Sequence, residues 1–324
     1  MQTMKAAVIR RYGPPETISV ARVPVPEPKA KEIRVAMKAS CATAASAMMR
    51  SGTPRYARLF LGLRGPSKPI PGSGFAGIVE KVGPGVTGFA VGDAVFGETA
   101  AEFGTNAERI CIATDHLVLP KPDSLSFEEA AAMCDGPLTS WNFLVNIGKV
   151  RPGQRVLVIG AAGSLGSAAV QIARARGAHV TGVASAANTA FVTGLGADAV
   201  IDYRRTDPLS TGPYDLIYDA VGAASFKASR AALARDGQFL TPVLKLSMLC
   251  TMLTNRFRAQ TARFDATGLK KPHELRPMMA DLLALVAAGD LRVPITRTFP
   301  LDQIVAAHRL IDTGHKQGNI VIAA

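Results

Sequence analysis

Cysteine is scarce in this chain of 324 residues: four stand at 41, 111, 134 and 250, and no CxxC pair exists. That spacing argues against a disulfide framework and a structural zinc knot, and predicts reduced thiols of the cytoplasmic kind. An apolar leader is also lacking. The opening MQTMKAAVIRRYG has no h-region, so no secretory signal is expected. No run approaches the ~18 apolar residues of a membrane span, and no membrane partner is expected. Low-complexity tracts and internal repeats are absent, which removes disordered, collagenous and repeat architectures.

Acidic residues are in deficit, 25 against 37 basic ones, for a net charge of +12. The cations are scattered. Arg10-Arg11, Arg204-Arg205 and Lys270-Lys271 are short clusters that read as solvated surface, so no nucleic-acid partner is expected and the charge favours an anionic cofactor. Hydrophobic residues make up 48% and charged ones 19%, ample for the cores of two domains or one large one. Lys245 to Phe257 (KLSMLCTMLTNRF) is apolar with basic punctuation. It fits a helix on a membrane surface, or one lining a cleft or subunit interface.

What is present changes character along the chain. Residues 5–9 and 33–39 read as strands, joined by the Pro-rich stretch Val23–Pro28, which cannot pair inside a sheet. Pro71–Gly97 is dense in glycine with short β-branched runs, the mark of tightly turned β structure. Ser126 and Glu129 form a capping box that opens an Ala-rich helix. From Gln154 strands and helices alternate: strands at 155–159, 178–184, 199–201, 216–219 and 238–241, helices at 164–176 and 188–195, the latter two ended by Gly177 and Gly196. Alternation of this kind indicates a doubly wound parallel sheet. A helix is expected at 277–288, then short β pieces at 294–299 and 319–322. The class is α/β: a β-rich domain from residues 1–124 and 289–324, interrupted by a Rossmann-type domain over 125–288.

The sharpest local pattern is Val156-Leu-Val-Ile-Gly160-Ala-Ala162-Gly163-Ser164-Leu165-Gly166. An apolar strand enters it and a helix leaves it, the context in which glycines let backbone approach a pyrophosphate at a helix N-terminus. NAD enzymes place an acid about 20 residues on, to bond the ribose 2′-hydroxyl. Here Ser167 through Ala197 holds no acidic residue, and the second strand ends at Ala184-Ser185. Ser185 leaves room for a 2′-phosphate, with Asn188, Tyr203 and Arg204 as donors, so NADPH is the expected cofactor. Read otherwise, Ser185 is a turn residue and the preference is loose.

These segments, with Met4-Lys-Ala-Ala-Val, Arg50-Ser-Gly, Pro71-Gly-Ser-Gly-Phe-Ala-Gly-Ile-Val, Val91-Gly-Asp-Ala-Val-Phe-Gly, Pro137-Leu-Thr-Ser-Trp, Leu195-Gly-Ala-Asp, Ile201-Asp-Tyr, Asp219-Ala-Val-Gly and Gly314-His-Lys-Gln-Gly-Asn-Ile-Val, run nearly end to end. The chain resembles the medium-chain dehydrogenase/reductase superfamily, in its zinc-independent quinone-oxidoreductase-like (zeta-crystallin-like) branch. The resemblance implies a GroES-like catalytic domain plus the Rossmann domain, an oxidoreductase, and a homodimer. It places Thr139 at the nicotinamide end and adds Val221 to the cofactor contacts. The positions of the zinc ligands fall on Thr43, Ser73-Gly74 and near Asp135, with Cys41 two residues early. Zinc needs three convergent ligands, so no catalytic metal is expected. The branch's Asn and Asp at the positions of Thr43 and Ser46, and its Asp at Gly74, are also missing, which leaves the substrate side unusually unpolar.

Without zinc, charge arriving on the acceptor must meet hydrogen-bond donors or disperse by conjugation, which favours a quinone or an α,β-unsaturated carbonyl. Thr43, near the nicotinamide by resemblance, is the expected donor. Tyr56 is a second donor or proton source, or else an aromatic packing a surface loop. His116, His179, His273, His308 and His315 read as surface or helix positions. The competing class is a non-catalytic NADPH-binding protein, structural or RNA-binding.

Overall fold

The strands are, in chain order, β1 (Thr3–Ile9), β2 (Ile18–Pro24), β3 (Glu32–Ala42), β4 (Gly74–Val82), β5 (Ala94–Glu98), β6 (Arg109–Ala113) and β7 (Leu117–Pro120). They continue with β8 (Arg155–Ile159), β9 (His179–Ala184), β10 (Ala199–Asp202), β11 (Tyr214–Asp219), β12 (Leu233–Thr241), β13 (Thr261–Phe264), β14 (Ile295–Pro300) and β15 (Asn319–Ala323). This computed structural model describes residues 2–324, the side chains at 246, 247, 249 and 250 excepted, so the thiol of Cys250 lies outside the described residues. The chain falls into two units. One holds Met1–Asp135, Gly268–Arg276 and Ile295–Ala324; the other holds Gly136–Thr267 and Pro277–Pro294.

The first unit is β-rich. Its larger sheet runs β14-β15-β3-β4-β5-β7, with β6 also on β3, while β1 and β2 form an antiparallel pair. Strand β15 from the chain's end pairs β3 from its beginning, Val321 opposite Cys41, and so ties the tail into the sheet. Ile33, Val35, Phe75, Val95 and Val118 alternate inward to make one core. A second core joins Ile9, Ile18, Phe299, Ile304 and Ile320. The capping box forms as expected: Ser126 Oγ accepts from Glu129 N at 3.1 Å and Glu129 Oε2 from Ser126 N at 2.9 Å, opening helix Phe127–Met133.

The second unit has one sheet in the order β10-β9-β8-β11-β12-β13, every pairing parallel. Strands β8, β9 and β11 are buried on both faces, and β8 reads as an unbroken apolar run from Val156 to Ile159 for that reason. The order reverses between β8 and β11, and in such sheets ligands sit at the carboxyl ends of the strands at that point.

Three elements differ from expectation. The helix expected from Pro277 is Pro272–Ala287 and begins five residues earlier, with Pro272 at its first position and Pro277 inside it. Two prolines suit a helix start, and the earlier one takes that place. Helix Ile304–Asp312 fills the stretch between the two expected β pieces, burying Ile304, Ala307 and His308. Edge strand β13 was not anticipated. Its residues, Thr-Ala-Arg-Phe, lack an apolar run, and it exists through pairing with β12.

Candidate cofactor and active site

The loop after β8 is built by glycines of different kinds. Gly160 has φ +80°, and a Cβ there would lie 2.6 Å from Val221 Cγ1. A Cβ on Gly166 would lie 2.1 Å from Gly160 O and 2.7 Å from Ala161 Cα, so the turn and helix Ser164–Ala175 approach too closely for any side chain. Gly163 is otherwise. Its φ is −75°, and the nearest atom to an added Cβ is Gly160 O at 3.6 Å. The protein's own packing does not require glycine at 163. Gly163 is also the N-cap and supplies no capping side chain, and a helix N-terminus favours an anion. The cradle fits a dinucleotide pyrophosphate.

The other expected cofactor residues gather at the same strand ends. Ala162, Ser164 and Gly166 are buried and Leu165 is half-buried. Ser140 Oγ donates to Leu165 O at 2.7 Å, and a Cβ on Gly136 would lie 2.4 Å from Ser164 O, so helix Gly136–Trp141 carries Thr139 against this turn. Ser185 follows β9, and its carbonyl accepts from Asn188 N at 2.8 Å. Tyr203 N donates to Ala184 O at 3.4 Å, bringing the end of β10 to the end of β9, with the Arg204 guanidinium 5.8 Å from the Tyr203 ring. Val221 stands exposed over Gly160.

One residue that holds this site was not singled out from the sequence. Asp219, fully buried at the end of β11, accepts from the backbone N–H groups of Val221, Ala223 and Ala224 at 3.3, 3.1 and 2.7 Å. Lys245 Nζ clamps the same turn from outside, at Gly222 O and Ala224 O. The signal was an acid closing an apolar strand ahead of Ala-Val-Gly.

In the β-rich unit Thr43 is the buried N-cap of helix Ala44–Ser51. Its hydroxyl oxygen accepts from Ser46 N at 3.2 Å and lies 3.3 Å from Ser46 Oγ. Capping uses an acceptor lone pair; the O–H proton can go to Ser46 Oγ or, when Ser46 donates instead, to another acceptor. Tyr56 stands exposed on the turn Arg55–Ala57. The same unit buries a titratable cluster that sequence reasoning missed. Burial, and then the charge of Asp135, push the Glu98 carboxyl up to about 8 against a hydrogen bond from Ser73. Burial likewise raises the thiols of Cys41 and Cys134 and lowers the Lys316 ammonium, which Asp135 partly offsets. Glu98 therefore keeps its proton at neutral pH.

Two family models match the chain: an alcohol dehydrogenase GroES-like domain over residues 29–123 and a zinc-binding dehydrogenase domain over 195–322. A solved quinone oxidoreductase from Coxiella burnetii superposes with a TM-score of 0.88 at 28% identity, covering 100% of both chains. The chain belongs to the medium-chain dehydrogenase/reductase superfamily, in its quinone-oxidoreductase-like branch. The human mitochondrial NAD(P)H oxidoreductase RTN4IP1 is 28% identical over 98% of this chain and 89% of its own length. The polyketide synthase protein NorB of Streptomyces orinoci is 33% identical over 78% of this chain, which spans only 12% of that protein.

The positions that the resemblance gives to zinc ligands carry Thr43, Ser73-Gly74 and Asp135 in this chain. A Cβ on Gly74 would lie 2.6 Å from Ala131 O and 3.3 Å from Cys134 Cβ, so the strand packs tightly against the end of helix Phe127–Met133 there. Among the described residues no three His, Cys, Asp or Glu side chains are grouped as metal ligands. No described helix is long and apolar enough to cross a membrane. Cys41, Cys111 and Cys134 are free.

Proposed function

We propose that this superfamily member binds NADPH and reduces a quinone or an α,β-unsaturated carbonyl without zinc. The observation that carries the reading is the open face of Gly163 beside a strand end, Ser185, that bears no carboxylate. The Ser185 side chain leaves a 2′-phosphate room and no charge of its own to repel it, while Asp202 on the neighbouring strand end is engaged by Arg204 N and Arg205. The bound nicotinamide supplies the hydride. Gly160, Gly163 and Gly166 hold the pyrophosphate, Asp219 fixes the turn that sets Val221 over it, and Thr139 orients the nicotinamide end.

On the acceptor side, Thr43 donates its hydroxyl proton to the oxygen that gains charge, with Tyr56 as a second donor. A conjugated acceptor spreads the remaining charge, which suits a pocket in which Thr43 and Ser73-Gly74 stand at the positions the resemblance gives to zinc ligands. We read the protein as a homodimer that adds strands along the outer edge of β13, and as cytoplasmic, the compartment that keeps free thiols reduced.

The purified protein, mixed with NADPH and a panel of quinones and enones, should consume the nicotinamide absorbance, and product analysis then separates the two classes. Intact NADPH binding with flat traces throughout would turn the reading to a non-catalytic dinucleotide-binding protein.

A further inference from the structure

The stretch Ile33 to Val79 contains seven basic residues and no acidic one. At its middle the turn Arg55–Ala57 and helix Arg58–Leu61 present Leu59 and Phe60 at 73% and 86% exposure, and Leu63 follows at 72%. Large apolar side chains exposed together mark a contact surface. These three are held outward by polar contacts on the inner side of the segment. The Tyr12 hydroxyl donates to Gly62 O at 2.5 Å, Ser67 N to Leu61 O at 2.7 Å, and Arg58 Nε to Gly52 O at 3.0 Å, with the Arg58 guanidinium 4.6 Å from the Tyr12 ring. Ala57 is the buried residue of the turn. The segment is therefore a pinned apolar knob.

Cations rim it. Arg55 and Arg64 are exposed, and so are Arg10 and Arg11, whose backbone runs close beside the segment: a Cβ on Gly65 would lie 2.6 Å from Arg10 O. Among the described residues none of these four arginines is ion-paired, whereas Arg34, Arg50 and Lys68 of the same stretch all are.

We infer that this knob docks the protein on an anionic lipid surface. A Phe exposed to this degree has no groove around it. A bilayer interface accepts such a convex apolar tip without a matching shape, while the flanking arginines reach lipid phosphates. A second copy of this chain is a poor occupant, because a self-complementary contact would bring the unpaired arginines together on a protein of net charge +12. Composition alone predicts no membrane partner, since no segment is long enough to span. Docking on a surface needs only a few side chains.

The test is co-sedimentation of the full chain with vesicles of phosphatidylcholine alone and of phosphatidylcholine with phosphatidylglycerol. The protein should pellet with the anionic vesicles only and be released by high salt. The triple variant Leu59→Ser, Phe60→Ser, Leu63→Ser and the double variant Arg55→Glu, Arg64→Glu should each weaken binding by at least about tenfold, at about fivefold or more per arginine. All five side chains already stand in water, so melting temperature should not change in either variant, nor dinucleotide affinity in the uncharged triple variant. Failure to pellet with anionic vesicles, or variants that pellet like the parent, would overturn the inference. So would a change of oligomeric mass in the triple variant by sedimentation equilibrium, which would assign the knob to a second copy.

Discussion

Gly163 and Gly166 are three residues apart in one loop, yet a side chain at each meets different obstacles. At 166 the obstacle is backbone, Gly160 O at 2.1 Å, which cannot yield without opening the turn. Gly166→Ala should cost about 3 kcal/mol of stability or more, seen as a fall in the denaturant midpoint. At 163 the protein leaves room, so Gly163→Val should fold with a nearly unchanged midpoint while dinucleotide binding, followed by calorimetry, falls by at least about tenfold. Equal loss of stability in both variants would remove Gly163 from the ligand's path. Ser185 is read the same way. An aspartate there would accept from a ribose 2′-hydroxyl and repel a 2′-phosphate. Ser185→Asp should move the ratio of kcat/KM from NADPH toward NADH by about tenfold or more; an unmoved ratio would detach Ser185 from cofactor choice.

Among the elements, β5 and helix Ile304–Asp312 both belong to the β-rich unit and bury groups with opposite proton habits. Glu98 ends β5 and has its carboxyl raised from the ordinary 4.5 to about 8. The folded state holds a proton that the unfolded chain has released, so this group favours folding at low pH, and its contribution is lost as pH rises from 4.5 through 8. His308, fully buried with neither ring nitrogen hydrogen-bonded within the protein, is lowered from 6.5 to about 3, by burial first and then by Arg50. Its contribution is present above pH 6.5 and is lost as pH falls through 6.5 toward 3. Between pH 4.5 and 6.5 the two slopes oppose. Stability should fall from pH 6.5 to 8 and again below pH 4.5, each limb approaching about 1.4 kcal/mol per pH unit from these groups. Glu98→Gln should flatten the alkaline limb and His308→Leu the acid one, as checked by denaturant melts across pH.

The same two elements show what a sequence can reveal. β5 was legible, because glycine-dense, β-branched runs have few other solutions. The proton habit of Glu98 was not, since its neighbour Asp135 lies 37 positions on and only the fold brings their charges together. Helix Ile304–Asp312 carried its signal in apolar residues at 304, 307 and 311, but the short β pieces on either side masked it. In the Rossmann unit β8 and the glycine turn could be read almost to the residue, because local chemistry dictates both. Edge strand β13 depends on its neighbour. The division of labour between Gly163 and Gly166 needed distances, as did the three amides on Asp219.

For the molecule as a whole, charge bears on cofactor choice. A net charge of +12 sets up a field that draws anions toward the protein at ranges up to the Debye length, about 10 Å at 0.1 M salt. NADPH exceeds NADH by one phosphate, so it gains more from that field, and the gain adds to whatever Ser185 and its neighbours supply by contact. The two contributions separate with ionic strength, because salt screens the diffuse field far more than a short hydrogen bond in a partly buried turn. Dissociation constants measured by calorimetry from low to high salt should rise for both cofactors, with the steeper rise for NADPH. The residual preference at high salt belongs to the strand-end contacts, and Ser185→Asp should abolish that residue while leaving the difference in salt slopes in place. Parallel slopes for the two cofactors would mean that the surplus of cations does not reach the 2′-phosphate, and that discrimination rests on contacts at Ser185, Asn188, Tyr203 and Arg204 alone.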